Sequence, residues 1–253
     1  MQQYKAVCLD LDGTVYKGAK VIPEALHFIE KLQQDGIEPY FVTNNSSMTA
    51  EQFTQKLSAM GIATHPNQIM TSSLASAKYC KEHYDGATVM MIGEVGLKAA
   101  LQAEGIIITE SNPDVVIVGI DHDISYEKLT QASLAIQSGA HFIATNKDKA
   151  LPTERGLVPG NGSFVKLLET ATGVEALEVG KPASHMLHFI QQKGYRKEEM
   201  IMIGDNYDTD IQAGIRFGID TIHVGGGVTS VEDVLKKMQQ PTYMYKTLLD
   251  WHK

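Results

Sequence analysis

Two acidic residues, Asp10 and Asp12, stand two positions apart directly after the apolar run Ala6–Leu9, and Gly13 and Thr14 follow them. Such a run is typical of a buried parallel strand, and parallel sheets carry functional groups beyond the carboxyl ends of their strands. Residues two apart on a strand point to the same side, so the two carboxylates are expected to lie close together. A proton or a divalent cation relieves their repulsion, and oxygen ligands suit magnesium. The fragment predicts a metal-assisted site, although an ordinary Asp-Gly turn explains the same residues.

Polar clusters recur at three further points, in the segments 43–46, 180–182 and 204–210. Together with the first cluster they offer a nucleophile, an acid, hydroxyl and amide donors, a lysine charge and carboxylates for a metal. These are the groups that phosphoryl transfer from a monoester needs. Each cluster also has an ordinary explanation: a helix cap for 43–46, a solvated loop lysine for Lys181 and a first-turn helix acid for Asp210.

The elements that position these clusters alternate along the chain between apolar runs and segments of helical period. This alternation is the signature of strand, helix, strand units, so the fold class is α/β with a doubly wound parallel sheet of the Rossmann type. The pattern predicts strands over 6–9, 39–43, 88–93, 115–120, 141–146, 200–203 and 221–224, and helices over 23–34, 74–83, 126–138 and 185–193.

A second α/β domain is expected to be inserted into the first. The first alternation pauses after about residue 77, a new one runs to about residue 178, and the original pattern then resumes. We therefore predict a core over 1–77 and 179–253, with an inserted domain over 78–178. A chain of 253 residues is long enough for two such domains.

Composition excludes several classes of function. The chain has 22 Lys and Arg against 30 Asp and Glu, a formal charge of −8, which argues against nucleic acid as a partner. Cys8 and Cys80 lack the spacing of a zinc site or a redox pair, so both are expected to be reduced and structural. Neither a signal peptide nor a membrane span is visible before Asp10, so no membrane partner and a cytoplasmic location are expected.

The four clusters, taken in order, resemble the catalytic motifs of the haloacid dehalogenase (HAD) superfamily, and within it the NagD-like phosphatases with a large α/β cap. The segments 10–16, 42–46, 180–182 and 204–210 carry this resemblance, which covers nearly the whole chain. The stretches 145–148 and 159–163 are similar to that subfamily's cap. The inserted domain is then expected to cover the site and to select the leaving group through residues 146–163.

The resemblance also implies a role for each site residue. Asp10 would attack phosphorus, and Asp12 would protonate the leaving oxygen and later deprotonate the hydrolytic water. Mg²⁺ would be held by the carboxylates of Asp10 and Asp205 and by the backbone carbonyl of Asp12. The remaining residues would bind phosphate or support the site: Thr43 through its hydroxyl, Asn44 through its backbone amide, Lys181 through its charge, and Asp210 and Asn206 from behind the metal ligands.

The expected activity is a magnesium-dependent phosphatase that acts on a small phosphorylated metabolite, such as a sugar phosphate, a nucleotide or an aryl phosphate. Dehalogenation is disfavoured because the superfamily's dehalogenases lack the acid at position 12. A receiver-like signalling module, a phosphomutase and a silent metabolite-binding protein are the alternatives. The oligomeric state is open, a homo-oligomer included. The segment 121–123 is interpreted as a plain loop, His185 and His188 as a solvated helix face, and 225–227 as a turn.

Overall fold

The computed structural model describes residues 4–251, and these divide into two compact units. The first unit comprises 4–43, 50–70 and 181–251, and the second comprises 44–49 and 71–180. The predicted domain boundaries at 77/78 and 178/179 stay a prediction.

The strands are short, as is usual for α/β proteins, and many of them are apolar on both faces. They are β1 (Ala6–Leu9), β2 (Tyr16–Lys17), β3 (Lys20–Val21), β4 (Glu38–Thr43), β5 (Ile69–Thr71), β6 (Thr88–Ile92), β7 (Ile107–Ile108), β8 (Val115–Val118), β9 (His141–Ala144), β10 (Ala150–Thr153), β11 (Gly156–Pro159), β12 (Leu177–Glu178), β13 (Met200–Gly204), β14 (Asp220–Val224) and β15 (Tyr243–Tyr245).

The helices connect successive strands. They are α1 (Pro23–Gln34), α2 (Ala50–Ala59), α3 (Ser72–His83), α4 (Val95–Ala103), α5 (Tyr126–Gln137), α6 (Asn161–Thr172), α7 (His185–Gln191), α8 (Gln212–Phe217) and α9 (Val231–Leu235). Single turns of 3-10 helix lie at Pro66–Gln68, Lys197–Glu199 and Leu248–Asp250, and a π-helical turn lies at Tyr207–Ile211.

The first unit is built on a six-stranded sheet in the order β15-β14-β13-β1-β4-β5. The central strand β1 is buried along its whole length and pairs in parallel with both neighbours, Leu9 lying opposite Phe41 on β4 and Ile203 on β13. Near-continuous apolar strands of this kind require cover on both faces. The register brings the carboxyl ends of β1, β4 and β13 to one edge of the sheet.

The second unit is built on a five-stranded sheet in the order β12-β9-β8-β6-β7, with parallel pairing between neighbours. Its core contains Val116, Phe142, Val165 and Leu168, so β8, β9 and α6 pack together. An antiparallel hairpin, β10–β11, extends from this unit.

The predicted fold class, α/β with parallel sheets, is confirmed. The predicted apolar runs correspond to strands that end one or two residues earlier in several cases, as at Val118 and Ala144. The hairpins β2–β3 and β10–β11 were not predicted, because they are short and carry no clear alternation of polar and apolar residues.

Both cysteines are buried and free, as expected. Within residues 4–251, no helix combines the length and the apolarity that crossing a bilayer requires. The cytoplasmic location stays a prediction.

Candidate active site

The predicted polar clusters of the first unit meet at the carboxyl edge of its sheet. Asp10 follows β1 directly, and its backbone N–H donates to the Ile203 carbonyl over 2.9 Å. Thr43 is the last residue of β4, and Asp205 follows the last residue of β13. These three strands are neighbours with parallel register, so their ends lie side by side.

Lys181 is a buried cation at the centre of this edge, with 2% of its surface exposed. Its Nζ lies 2.6 Å from Asp10 Oδ1, 2.7 Å from Asp210 Oδ1 and 2.9 Å from the Val42 carbonyl oxygen. An ammonium group has three N–H donors, and these three acceptors match that number. Burial alone would lower the pKa of Lys181, but the charges of Asp10 and Asp210 outweigh it and raise that pKa above its usual range. Lys181 is therefore no solvated loop lysine.

Asp205 is fully buried and its carboxylate is held on both oxygens. Oδ1 accepts a hydrogen bond from the Thr14 hydroxyl over 3.1 Å, and Oδ2 accepts one from the Val228 backbone N–H over 2.7 Å. Two glycines leave room for it: a Cβ at Gly13 would lie 2.4 Å from this carboxylate, and one at Gly227 would lie 1.8 Å from it. Gly13 also has a φ of +99°, a backbone conformation that favours glycine.

Asp210 is presented by the π-helical turn Tyr207–Ile211 and is also buried. Besides Lys181, its carboxylate accepts hydrogen bonds from the Thr209 hydroxyl over 3.2 Å and from the Asn206 backbone N–H over 3.1 Å. The Asn206 side chain accepts from the Asp208 N–H over 3.1 Å, so it caps the turn. The turn therefore aims one carboxylate at Lys181.

Asp10, Asp205 and Asp210 each offer a carboxylate oxygen within 4.8 Å of the others, and no second group of this kind occurs among residues 4–251. Burial, and then the charge of Asp210, raise the pKa of Asp10 well above its usual range, although Lys181 opposes this. Burial and Asp210 likewise raise the pKa of Asp205, against the Val228 N–H. The cluster comprises three carboxylates and one ammonium, which contacts Asp10 and Asp210, so the cluster has an excess of negative charge. Hard oxygen donors with such an excess fit Mg²⁺.

Asp12 lies apart from this group of three carboxylates. Its side chain is exposed, and its backbone forms an isolated bridge with Tyr16. The carboxylates that crowd Asp10 therefore come from the β13 end rather than from the same strand. The reason is that β1 ends at Leu9 and the chain bends at Leu11, between the two acids.

Asn44, the other residue predicted to bind phosphate with Thr43, belongs to the second unit. Its side-chain amide donates to both oxygens of Asp148, over 3.1 and 3.3 Å. Its carbonyl oxygen accepts hydrogen bonds from the Asn146 amide over 2.8 Å and from the Ser72 hydroxyl over 2.7 Å. The Asn44 backbone is thus held by two side chains of its own unit, and the Asn44 side chain is held by a third.

The loop interpretation of 121–123 is confirmed. Asp121 is buried, but its Oδ2 lies 2.8 Å from Lys128 Nζ and its Oδ1 accepts from the Asp123 N–H over 2.9 Å. His122 is paired with Glu94. The segment 225–227 does form a turn after β14, but the sequence interpretation missed what the turn does. Its third glycine, Gly227, packs against the Asp205 carboxylate, and the run of three glycines was the available signal.

The comparisons with known proteins agree on one family. A family model described as haloacid dehalogenase-like hydrolase matches residues 7–107, and a HAD-hydrolase-like model matches 178–251. An acid sugar phosphatase of Staphylococcus aureus is 46% identical over 250 residues, 98% of this chain and 96% of that protein.

Solved structures of phosphatases match closely as well. A thermostable NPPase double mutant from Geobacillus stearothermophilus has a TM-score of 0.94 and 47% identity, covering 100% of this chain and 99% of that chain. A glycerol phosphate phosphatase from Mycobacterium tuberculosis, in complex with magnesium, has a TM-score of 0.93 and 32% identity, covering 100% of this chain and 77% of that chain. The chain belongs to the haloacid dehalogenase-like hydrolases. Within that family it is a phosphatase, as its NagD-like relatives are.

Proposed function

We propose that this protein is a magnesium-dependent phosphatase that hydrolyses small phosphomonoesters through a phosphoaspartate at Asp10. The observation that carries the proposal is the buried Lys181, which joins Asp10 and Asp210 beside Asp205 at one sheet edge. Burying an ammonium group and carboxylates together costs desolvation free energy. The position of Lys181 beside Asp10 suits a site that stabilises the negative charge of a phosphoryl group.

Asp10 is proposed as the nucleophile. One of its carboxylate oxygens forms a bond to phosphorus while the bond from phosphorus to the leaving oxygen breaks. Burial favours the protonated carboxyl, whereas attack requires the carboxylate, so the Lys181 ammonium 2.6 Å away favours the reactive form.

Asp12 is proposed as the acid and base. Its proton passes to the leaving oxygen in the first step, and it takes a proton from the attacking water in the second, which releases inorganic phosphate and restores Asp10. Its side chain is exposed, whereas those of Asp205 and Asp210 are buried, so Asp12 can exchange protons with solvent.

Asp10, Asp205 and the Asp12 carbonyl are proposed to hold Mg²⁺, which when bound supplies positive charge that offsets that of the phosphate oxygens. Asp210 and Asn206 support this set, the first by anchoring Lys181 and the second by capping the turn that presents Asp210. Thr43 and the Asn44 backbone amide are proposed to bind phosphoryl oxygens, and Thr43 lies at the end of the strand next to β1.

The substrate class is proposed from the relatives, whose names refer to sugar phosphates, nitrophenyl phosphate and glycerol phosphate. A small sugar or polyol phosphate is the expected substrate, and 4-nitrophenyl phosphate the expected reporter. The net charge of −8 is compatible with an anionic substrate because Lys181, together with a divalent cation when one is bound, would offset the phosphate charge.

A phosphate-release assay tests the activity. The protein is given 4-nitrophenyl phosphate and a panel of sugar phosphates, with magnesium and with a chelator. Turnover that requires magnesium is expected, and Asp12→Asn should lose more activity on the sugar phosphates, because a poor leaving group depends more on protonation. Equal turnover with and without magnesium would contradict the proposal.

Mass spectrometry tests the intermediate. Acid-quenched Asp12→Asn protein should carry a phosphoryl group on the peptide that contains Asp10, because the base that activates water in the second step is removed. Asp10→Asn is the matched control and should carry none. A long-lived adduct in the wild-type protein without turnover would indicate a receiver-like module instead.

A further inference from the structure

A lysine outside the cluster, Lys56, is held in an unusual position. It lies in the last turn of α2, in the first unit, and its Nζ stands 3.8 Å from the centroid of the Tyr16 ring. The side chain is half-buried. Within residues 4–251, no carboxylate lies at ion-pair distance from Lys56, in contrast to Lys181 with its two acids.

The residue whose ring Lys56 contacts, Tyr16, is linked through its backbone to the proposed acid, Asp12. The Tyr16 backbone forms a bridge with Asp12, and the Gly13 N–H donates to the Tyr16 carbonyl over 2.7 Å. The Tyr16 side chain is buried, so packing restricts the orientation of the ring that Lys56 contacts. Burial lowers the pKa of Lys56, and the nearby Asp12 charge opposes that effect. Lys56 is therefore a cation on the Asp12 side of the site.

The position of Lys56 places it nearer to the leaving alcohol of a bound ester than to the phosphoryl group. The phosphoryl group belongs with Asp10 and Lys181, and Lys181 has acceptors within reach for all three of its donors. The leaving oxygen belongs with Asp12, if Asp12 protonates it. A cation beside Asp12 then faces the leaving alcohol rather than the phosphate. Within residues 4–251, the half-buried Lys56 ammonium has the Asp12 charge nearby but no carboxylate at ion-pair distance, so an anion that the substrate brings can pair with it directly.

We propose that Lys56 binds an anionic group on the leaving alcohol, and that the enzyme prefers phosphate esters whose alcohol carries a carboxylate. The inference rests on the proposed function, because it takes Asp12 as the group beside the leaving oxygen. Lys56 is a specificity-determining residue in this view. A lysine that merely packs on Tyr16 would give no preference between charged and neutral alcohols.

A competition assay tests this. Hydrolysis of 4-nitrophenyl phosphate is followed in the presence of 3-phosphoglycerate or glycerol 3-phosphate, which differ by a carboxylate in place of a hydroxymethyl group. An ester that is itself cleaved still competes for the site, so the assay works for substrates and inhibitors alike. The variants are Lys56→Met, Lys56→Arg and, as a matched control, Lys31→Met, which removes an exposed lysine of α1. Thermal unfolding of each variant shows whether it is folded.

Wild-type protein should bind 3-phosphoglycerate more tightly, by roughly tenfold, the factor that one charge-assisted hydrogen bond provides. Lys56→Met should abolish that preference and leave the inhibition constant of glycerol 3-phosphate unchanged. Lys56→Arg and Lys31→Met should keep the preference. A wild-type protein with no preference, or a preference that survives in Lys56→Met, would overturn the inference. Absence of 4-nitrophenyl phosphate turnover in the wild type would instead refute the proposed function.

Discussion

The two units share an architecture and differ in how the charges at the ends of their strands are balanced. Each has a parallel sheet with helical connections. In the second unit the buried Asp121 meets one cation, Lys128, and is neutralised locally. In the first unit two carboxylates, Asp10 and Asp210, share one ammonium, and a third, Asp205, lies beside them without an ion pair to that ammonium. The comparison teaches that the fold alone does not make a site, since the chemistry comes from charges that the protein leaves without full compensation.

The same contrast separates Asp121, which has a cation of its own, from the acids of the first unit. The charge of Asp121 is balanced one to one by Lys128, so no negative charge is left over to favour the binding of a metal ion. The pKa values of Asp10 and Asp205 are raised because burial and the charge of Asp210 outweigh the opposing effects, which come from Lys181 at Asp10 and from the Val228 N–H at Asp205. An unbalanced cluster is stable only if something binds to it or protonates it.

Exchange of one acid in each unit should give the largest difference. Asp10→Asn should lower phosphatase turnover by roughly a thousandfold or more, because an amide cannot replace the attacking carboxylate. Asp121→Asn should stay within about twofold of the wild type, since its carboxylate serves only Lys128 and its own loop. Steady-state phosphate release measures both. Comparable losses in the two variants would break the contrast between the units.

Removal of the partner cation should separate the two units in stability. Lys181→Met leaves Asp10 and Asp210 buried without their counter-charge and should cost about 3 kcal/mol at neutral pH, measured by urea unfolding. Lys128→Met removes a partly exposed cation and should cost about 1 kcal/mol. In the double variant Lys181→Met with Asp210→Asn, part of the loss should return, because one uncompensated charge is gone. Equal costs for the two lysines would contradict this.

The glycine turn offers a finer test within one loop. Gly227→Ala would place a Cβ 1.8 Å from Asp205 Oδ2, so the loop or the carboxylate must move. We expect a loss of about 1–3 kcal/mol in unfolding free energy and weaker magnesium binding by calorimetry. Gly225→Ala is the matched control, since its nearest neighbour would be 3.4 Å away. Undiminished magnesium binding in Gly227→Ala would show that Asp205 is not positioned by this turn.

The two ends of β13 should respond to pH in opposite directions. Hydrogen bonds from Lys5 and Arg196 lower the pKa of Glu199 to about 2, so its contribution to stability is present above its ordinary value of 4.5 and is lost as pH falls through about 2. The pKa of Asp205 is raised, so its contribution is present below its ordinary value and is lost as pH rises through the folded-state value.

Urea unfolding with a chelator present checks the two directions of pH dependence. These changes in unfolding free energy should be smaller than those expected for the lysine and glycine variants. Glu199→Gln should be less stable than the wild type at neutral pH, with the difference shrinking as the solution becomes strongly acidic. Asp205→Asn should be at least as stable as the wild type at neutral pH, because it removes a charge that burial disfavours. A loss of stability in both variants at neutral pH would mean that the two strand ends do not differ.

Much of the site was predictable because parallel strands bring their carboxyl ends together whatever the connections are. Asp10, Thr43 and Asp205 follow neighbouring strands for that reason. The sequence could not show which acids would crowd each other. The spacing of Asp10 and Asp12 suggested a pair, but the strand ends at Leu9 and the chain bends at Leu11, and the carboxylates grouped with Asp10 come from residues 205 and 210.

The amino-acid sequence by itself determined the α/β class, the identity of the reactive groups and their order along the chain, because apolar periodicity and residue type are local properties. Tertiary structure decided that Lys181 is buried between two acids, that Gly227 makes room for Asp205, and that Lys56 rests on Tyr16 without a carboxylate partner within residues 4–251. These contacts join residues far apart in the chain, and charge balance depends on distance in space, which no local pattern records.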